Sequence, residues 1–328
     1  MLTQTLAISR NTFTESIRQP IYGVLLLGVV MLLVLGATWS AYTFDDDTVQ
    51  LFDMGLGMIL AGGLVLAAFI ASGVLAREID NKTALTVISK PIGRPSFIIG
   101  KYLGVAGAMT LAMLIWSVVF LLTVRHKVMS AAADQYDWPV LGFGLATLVV
   151  ALVVAVWGNY FYHWVFTSTF TAAMSAGLLA AFIGALLIDP QWKVQSITAE
   201  FQSTGHFPGG QVLLALIAVF DAVWLLCAVA IAASTRLGQV MTLVICVAFL
   251  ILGLVSDPLF GTHAHSSAVA AAAYRIAPNL QIFFLADALT KNATITLDHI
   301  GMVTAYAGLY AVAVLGIAVA LFQTRETG

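Results

Sequence analysis

Long stretches without a single charged side chain dominate this sequence. Two examples are 21–43 and 102–124, each close to the roughly 20 apolar residues that a helix needs to cross a bilayer. The chain of 328 residues is 61% hydrophobic and only 9% charged, whereas a soluble domain is roughly 25% charged. So few charges cannot cover a water-facing surface. Because lipid offers no hydrogen bonds to the backbone, the sequence predicts an all-α polytopic membrane protein.

The apolar runs predict a single transmembrane domain over 1–328, built as a bundle of about eight helices. The runs are 21–43, 53–76, 102–124, two within 140–188, 211–234, 239–256 and 301–322. The stretch NYFYHW interrupts 140–188, so an alternative with six spans would place interfacial or re-entrant helices there. The mixed segment 257–299 predicts short helices on the extracytoplasmic side.

The distribution of Lys and Arg predicts that both ends of the chain face the cytoplasm. With that orientation nine basic residues lie inside: Arg10, Arg18, Arg77, Lys82, Lys90, Arg94, Lys101, Arg236 and Arg325. Five lie outside: Arg125, Lys127, Lys193, Arg275 and Lys291. Cytoplasmic loops carry the excess of positive charge in membrane proteins. The bias therefore favours an N-in/C-in protein of a cell membrane, with a prokaryotic inner membrane as the expected location.

The first 20 residues predict an amphipathic helix that lies in the cytoplasmic interface. Its apolar residues fall near one face of a helix, and Pro20 ends it; that face carries Leu2, Leu6, Phe13 and Ile17. Arg10 and Glu15 lie off this face. The alternative is a cytosolic tail without such a contact.

The polar segment 77–101 contains the longest charged block of the chain, Arg77 to Lys82. Thr83 is a suitable N-cap for a short helix that extends to Ser89. Prolines 91 and 95 prevent its regular continuation, because each lacks an N–H and restricts the residue before it. A short helix between two spans is suited to receiving a push from a cytoplasmic partner. The alternative is an ordinary solvated loop.

This segment does not form a nucleotide-binding loop, although it contains a Gly-Lys pair. Such a loop needs G-x-x-x-x-G-K-[ST], whereas Gly93 and Gly100 are seven positions apart and Tyr102 follows Lys101. No Ser/His/Asp set or H-E-x-x-H motif occurs either. The sequence thus predicts a non-enzymatic chain that binds no cofactor of its own, and its slight negative charge gives no reason to expect a nucleic acid partner.

Three further features of the chain concern single polar, thiol or imidazole side chains. Asp221 lies within an apolar run, where a carboxylate is costly and is expected to line a transport path or to form a hydrogen bond between helices. Cys227 and Cys246 also lie in apolar runs, which predicts buried thiols. The pair His263 and His265 makes too weak a ligand set for zinc, so no metal site is predicted.

The residues around the charged segment resemble the signature of type-2 ABC exporter permeases. The matching positions are Arg77, Glu78, Lys82, Thr83, Leu85, Ser89, Lys90, Pro91, Arg94, Gly100, Lys101, Tyr102, Leu103 and Gly104. The likeness extends to ISRNTFTESIR with Pro20 after it, to ASTRLGQVMTLVICVAFLILGL at 233–254, and to the final LFQTRE. Familiar members have six spans, so the additional apolar material at 140–188 departs from the family.

The resemblance implies a permease subunit that a separate ATPase drives. The helix at 83–90 would be the coupling helix, and the contact would include Glu78, Lys82, Thr83, Leu85, Ser89, Lys90, Pro91 and Arg94. ATP and magnesium would be bound by the ATPase partner, and a second permease copy would complete the assembly in the bilayer. Two alternatives remain open. One is an ion-coupled secondary carrier that uses Asp221, and the other is a membrane scaffold that transports nothing.

Overall fold

The fold is a bundle of long α-helices. A computed structural model describes residues 2–39, 47–80, 93–128, 136–197, 209–262, 271, 274, 277–291 and 293–323. Its α-helices are α1 (Leu2–Arg18), α2 (Pro20–Trp39), α3 (Asp47–Asp80), α4 (Arg94–His126), α5 (Trp138–Tyr162), α6 (Phe166–Leu187), α7 (Gly209–Ser234), α8 (Gln239–Leu254), α9 (Ala286–Thr290) and α10 (Leu297–Gln323). The predicted all-α class is confirmed for the described part of the chain, where the one β-type contact is a bridge between Ile188 and Val194.

Seven of these helices, α2 to α7 and α10, are long and apolar enough to cross a membrane. The protein is therefore a multi-pass helical membrane protein. The region 140–188 forms a hairpin of α5 and α6, with 25 and 22 residues. His163 adopts a left-handed conformation at the turn, with φ of 55°. The hairpin favours two long helices here over the short interfacial helices of the six-span alternative.

At one end of the bundle, which we call the proximal face, residues that are far apart in the sequence lie in contact. Arg94 at the start of α4 donates a hydrogen bond of 2.8 Å to the carbonyl oxygen of Gln323 at the end of α10. The rings of Phe97 and Phe322 stack there, with centroids 5.4 Å apart. Helix α1 packs on the same part of α4. Helix α1 and the end of α10 therefore lie on the same side of the bundle.

Helix α8 has only 16 residues, about 24 Å at 1.5 Å per residue, and it is shorter than the seven helices that are long enough to cross a membrane. Just before it, Arg236 donates to the carbonyl of Leu321 near the end of α10. Beyond it, the carbonyl of Gly253 accepts a hydrogen bond of 2.9 Å from the N–H of Leu280. At this opposite end, the distal face, Gln211 at the start of α7 accepts from the N–H of Ile295.

The segment between α8 and α10 contains short helices on the distal face, as the sequence predicts for 257–299. They are a π-helical turn at Asp257–Gly261, a 3-10 turn at Gln281–Phe283, and α9. The hydroxyl of Tyr274 donates to the Asp257 carboxylate over 2.9 Å. This hydrogen bond raises the pKa of Tyr274, because the bonded phenol resists losing its proton.

The core consists of close contacts between the long helices. The hydroxyl of Tyr22 on α2 donates to the carbonyl of Ala108 on α4 over 2.9 Å, and Trp116 donates to the carbonyl of Leu26 over 3.0 Å. Glycines let α3 approach its neighbours, since a Cβ at Gly63 would lie 2.5 Å from Cγ2 of Val223 on α7. Small residues serve this purpose in membranes because lipid gives helices little hydrophobic reason to associate.

Helix α1 forms where the sequence predicts a helix, and its predicted position in the membrane interface stays a prediction. Its apolar residues Leu2 and Leu6 lie on the outside of the bundle, 78% and 57% exposed. The residues that α1 buries fully are the small polar Thr12 and Ser16, while Ile8 is partly buried against the glycines of α4. Helix α1 ends at Arg18, and α2 begins at Pro20, as the proline predicts.

Candidate functional site

The predicted coupling segment connects two helix ends at the proximal face. Helix α3 ends at Asp80 and α4 begins at Arg94. Glu78 lies in the last turn of α3. Six of the predicted contact residues lie outside the described part of the chain: Lys82, Thr83, Leu85, Ser89, Lys90 and Pro91. The predicted short helix over 83–90 falls in the same region.

The connection between α3 and α4 is shorter than the predicted loop of 77–101. Residues 77–80 continue α3, and 94–101 already belong to α4. Lys101 is only 1% exposed, and its Nζ lies 5.6 Å from the centre of the Phe97 ring. A cation over an aromatic face is attracted by the electrons of the ring. Lys101 therefore belongs to the packed start of α4 and not to a solvated loop.

Two arginines hold the end of α10 at the proximal face. Arg94, predicted as part of the partner contact, donates to the carbonyl of Gln323, and Arg236 donates to that of Leu321 over 3.1 Å. The last carbonyls of a helix lack partners within the helix, and positive charge is favourable at that end. Arg94 thus has a structural role within the chain, which the sequence analysis did not predict.

The glycine pair of α4 fixes the N-terminal helix beside the coupling segment. A Cβ at Gly100 would lie 2.8 Å from Cγ2 of Ile8. A Cβ at Gly104 would lie 2.5 Å from Cβ of Thr12 and 2.6 Å from the carbonyl oxygen of Ser9. The pair therefore packs against α1 of the same chain. The proximal face is one packed unit of α1, the start of α4 and the end of α10.

Asp221 joins two helices by a hydrogen bond. Its residue is 6% exposed, and its Oδ2 accepts a bond of 2.6 Å from the hydroxyl of Thr304 on α10. Of the two roles predicted for Asp221, this contact matches the hydrogen bond between helices, which here links α7 to α10. Among the parts of the chain that the structure describes, no group of three or more His, Cys, Asp or Glu side chains could hold a metal ion. Cys227 and Cys246 are buried free thiols, as predicted.

We expect the substitution Asp221→Asn to leave the free energy of unfolding nearly unchanged, because the amide oxygen of asparagine still accepts the hydrogen bond from Thr304. The companion variant Thr304→Val removes the donor and should lower the free energy of unfolding by about 0.5–1.5 kcal/mol. Denaturant unfolding in micelles measures both variants. A loss of stability in Asp221→Asn as large as that in Thr304→Val would contradict the structural role of Asp221.

A buried ion pair that the sequence did not predict lies at the distal face. Arg125 Nε lies 3.4 Å from Asp137 Oδ2, and both side chains are almost fully buried. Asp137 also caps α5, since its Oδ1 accepts from the N–H of Val140. An Asp just before Trp138-Pro139 is a recognisable helix start, but nothing in the sequence pairs it with Arg125.

No protein-family model matches this chain, and no curated protein matches it significantly.

Proposed function

We propose that this chain is the transmembrane permease subunit of an ATP-driven exporter of the type-2 ABC kind. The observation that carries the proposal is the placement of the charged connection between α3 and α4. This connection begins after Asp80, at the end of α3, and ends at Arg94, the first residue of α4. The first turns of α4 contact both α1 and the end of α10. A force applied to 81–93 would thus reach several helices at once.

In this proposal the helix at 83–90 docks on a separate ATPase, which binds ATP and magnesium. Closure of the ATPase pair moves the helix, and the spans respond by opening a path to the distal side. Two permease copies work with two ATPases. The resemblance of the charged segment and of 233–254 to this family adds to the argument from placement.

The topology that fits this function is N-in/C-in with eight crossings. With α1 and the end of α10 on one side of the bundle, the number of crossings must be even. The seven long helices leave one crossing missing, and we assign it to the shorter apolar helix α8. The excess of Lys and Arg predicted for the proximal side supports its assignment to the cytoplasm.

The test compares two charge reversals on opposite faces of the full-length protein. Lys90→Glu changes the proposed contact, whereas Lys193→Glu changes an exposed lysine beyond the distal end of α6. We expect wild type and Lys193→Glu, purified from native membranes, to carry vanadate-sensitive ATPase activity that Lys90→Glu has lost. Equal activity in both variants, or none with the wild type, would contradict the proposal. Size-exclusion profiles establish that each variant is folded.

A further inference from the structure

A cleft between α2, α4, α5 and α6 opens at the distal end of the bundle. Its volume is about 590 Å³, and its walls are mainly aliphatic; they include Val34, Leu122, Leu141, Gly144, Leu145 and Leu178. This volume lies within the roughly 300–1,000 Å³ of typical ligand sites. Such a cleft, lined by transmembrane helices, is suited to an extended hydrocarbon chain.

The distal end of the cleft is polar and basic. His126, Lys127 and Tyr136 line it there, and none of the described lining residues is acidic. The nearby Asp137 carboxylate is paired with Arg125. Among the described lining residues, a negatively charged group at this end would therefore meet the ammonium of Lys127 and no facing carboxylate.

The backbone of Lys127 is strained at the rim of the cleft. Its φ of 64° and ψ of 172° fall in a region that is nearly restricted to glycine, and such strain costs about 1–3 kcal/mol and is concentrated at ligand-binding positions. The helix ends here with the Lys127 N–H bonded to the carbonyl of Thr123 over 3.1 Å. The strained residue is thus the one that brings positive charge to the cleft.

We propose that the cleft binds a phospholipid of the distal leaflet whose headgroup carries a net negative charge. An acyl chain lies along the aliphatic walls, and the phosphate pairs with Lys127. Surrounding lipid is as apolar as the walls, so the chain alone gives no preference over the bilayer. Selection comes from the headgroup, as in other basic pockets between transmembrane helices. This site does not depend on the proposed function.

The experiment is native mass spectrometry of the full-length protein, released from micelles that contain one of two dioleoyl lipids. Phosphatidylglycerol has a net negative charge, and phosphatidylcholine has none. We expect phosphatidylglycerol to be retained about tenfold more strongly, which corresponds to about 1.4 kcal/mol.

Two glycine variants distinguish this cleft from the general lipid-facing surface. A Cβ at Gly144 meets nothing within 4 Å, and the same is true of Gly308 on α10. Gly144→Phe fills the cleft and should reduce phosphatidylglycerol retention to the level of phosphatidylcholine, whereas Gly308→Phe should not. Lys127→Gly relieves the strained backbone and should bind phosphatidylglycerol no better than phosphatidylcholine. Equal retention in both phenylalanine variants, or no preference between lipids in the wild type, would overturn the proposal.

Discussion

Replacement of Arg125 by methionine is expected to lower the free energy of unfolding by about 3–5 kcal/mol, the usual cost of leaving one member of a buried ion pair alone. The side chains of Arg125 and Asp137 are only 2% and 6% exposed. Arg125 also donates a bond of 2.6 Å to the carbonyl of Ile188, at the end of α6. One side chain thus joins the end of α4 to both helices of the α5–α6 hairpin.

The control for this prediction is the exposed pair of Lys291 and Asp287, whose side chains are 74% and 82% exposed and 3.2 Å apart. Lys291→Met should cost at most about 1 kcal/mol, because solvent already screens the two charges. Denaturant unfolding in mixed micelles measures both variants. Adding Asp137→Ser to Arg125→Met should recover part of the loss, since serine retains the cap of α5 without a buried charge. Similar costs for the buried and the exposed pair would contradict this account.

The second large effect is expected for Gly104→Ala, which should destabilise the protein by about 1–3 kcal/mol through overpacking. The new methyl group would meet the backbone carbonyl of Ser9 as well as Thr12, so α1 must move away from α4. The matched control is Gly57→Ala on α3, where nothing lies within 4 Å of the added Cβ. That variant should be stabilised by about 0.5–1 kcal/mol, because alanine favours a helix more than glycine does.

Limited trypsin digestion provides a second measurement for Gly104→Ala. Cleavage after Arg10 and Arg18 requires α1 to open locally, so the rate reports how firmly the helix is docked. We expect faster cleavage in Gly104→Ala than in the wild type, and an unchanged rate in Gly57→Ala. If both alanine variants were stabilised and cleaved at the same rate, the close contact between α1 and α4 would not exist in the folded protein.

The helical class and most helix positions could be predicted from the sequence because each depends on nearby residues. The uncharged run at 102–124 lies within α4, and Pro20 marks the start of α2. The predicted ends of the helices were less accurate, since α4 begins eight residues before the apolar run at 102–124. Those eight residues include Arg94 and Lys101, whose polar character suggested a loop. Their partners, Gln323 and the Phe97 ring, explain why they are part of the helix.

The candidate site could be predicted only in part. The charged block located the connection between α3 and α4, and Asp221 was recognised as a buried carboxylate. Its partner Thr304 is 83 positions away, so the choice between a transport path and a hydrogen bond needed the packing of α7 on α10. The contacts of α1 with α4 could not be predicted for the same reason, because an apolar stripe does not reveal whether a neighbouring helix offers glycines for close approach.

By itself, the sequence determined that this protein is a multi-pass bundle of helices, because a long apolar segment in lipid must satisfy its own backbone hydrogen bonds. Only the tertiary structure decided which helix faces meet, that α1 and the end of α10 lie on the same side of the bundle, and that Arg125 meets Asp137. Arg94 and Gln323, for example, are 229 positions apart. Such contacts depend on the shapes and charges of surfaces that come together only when the helices pack, and no local pattern of residues encodes them.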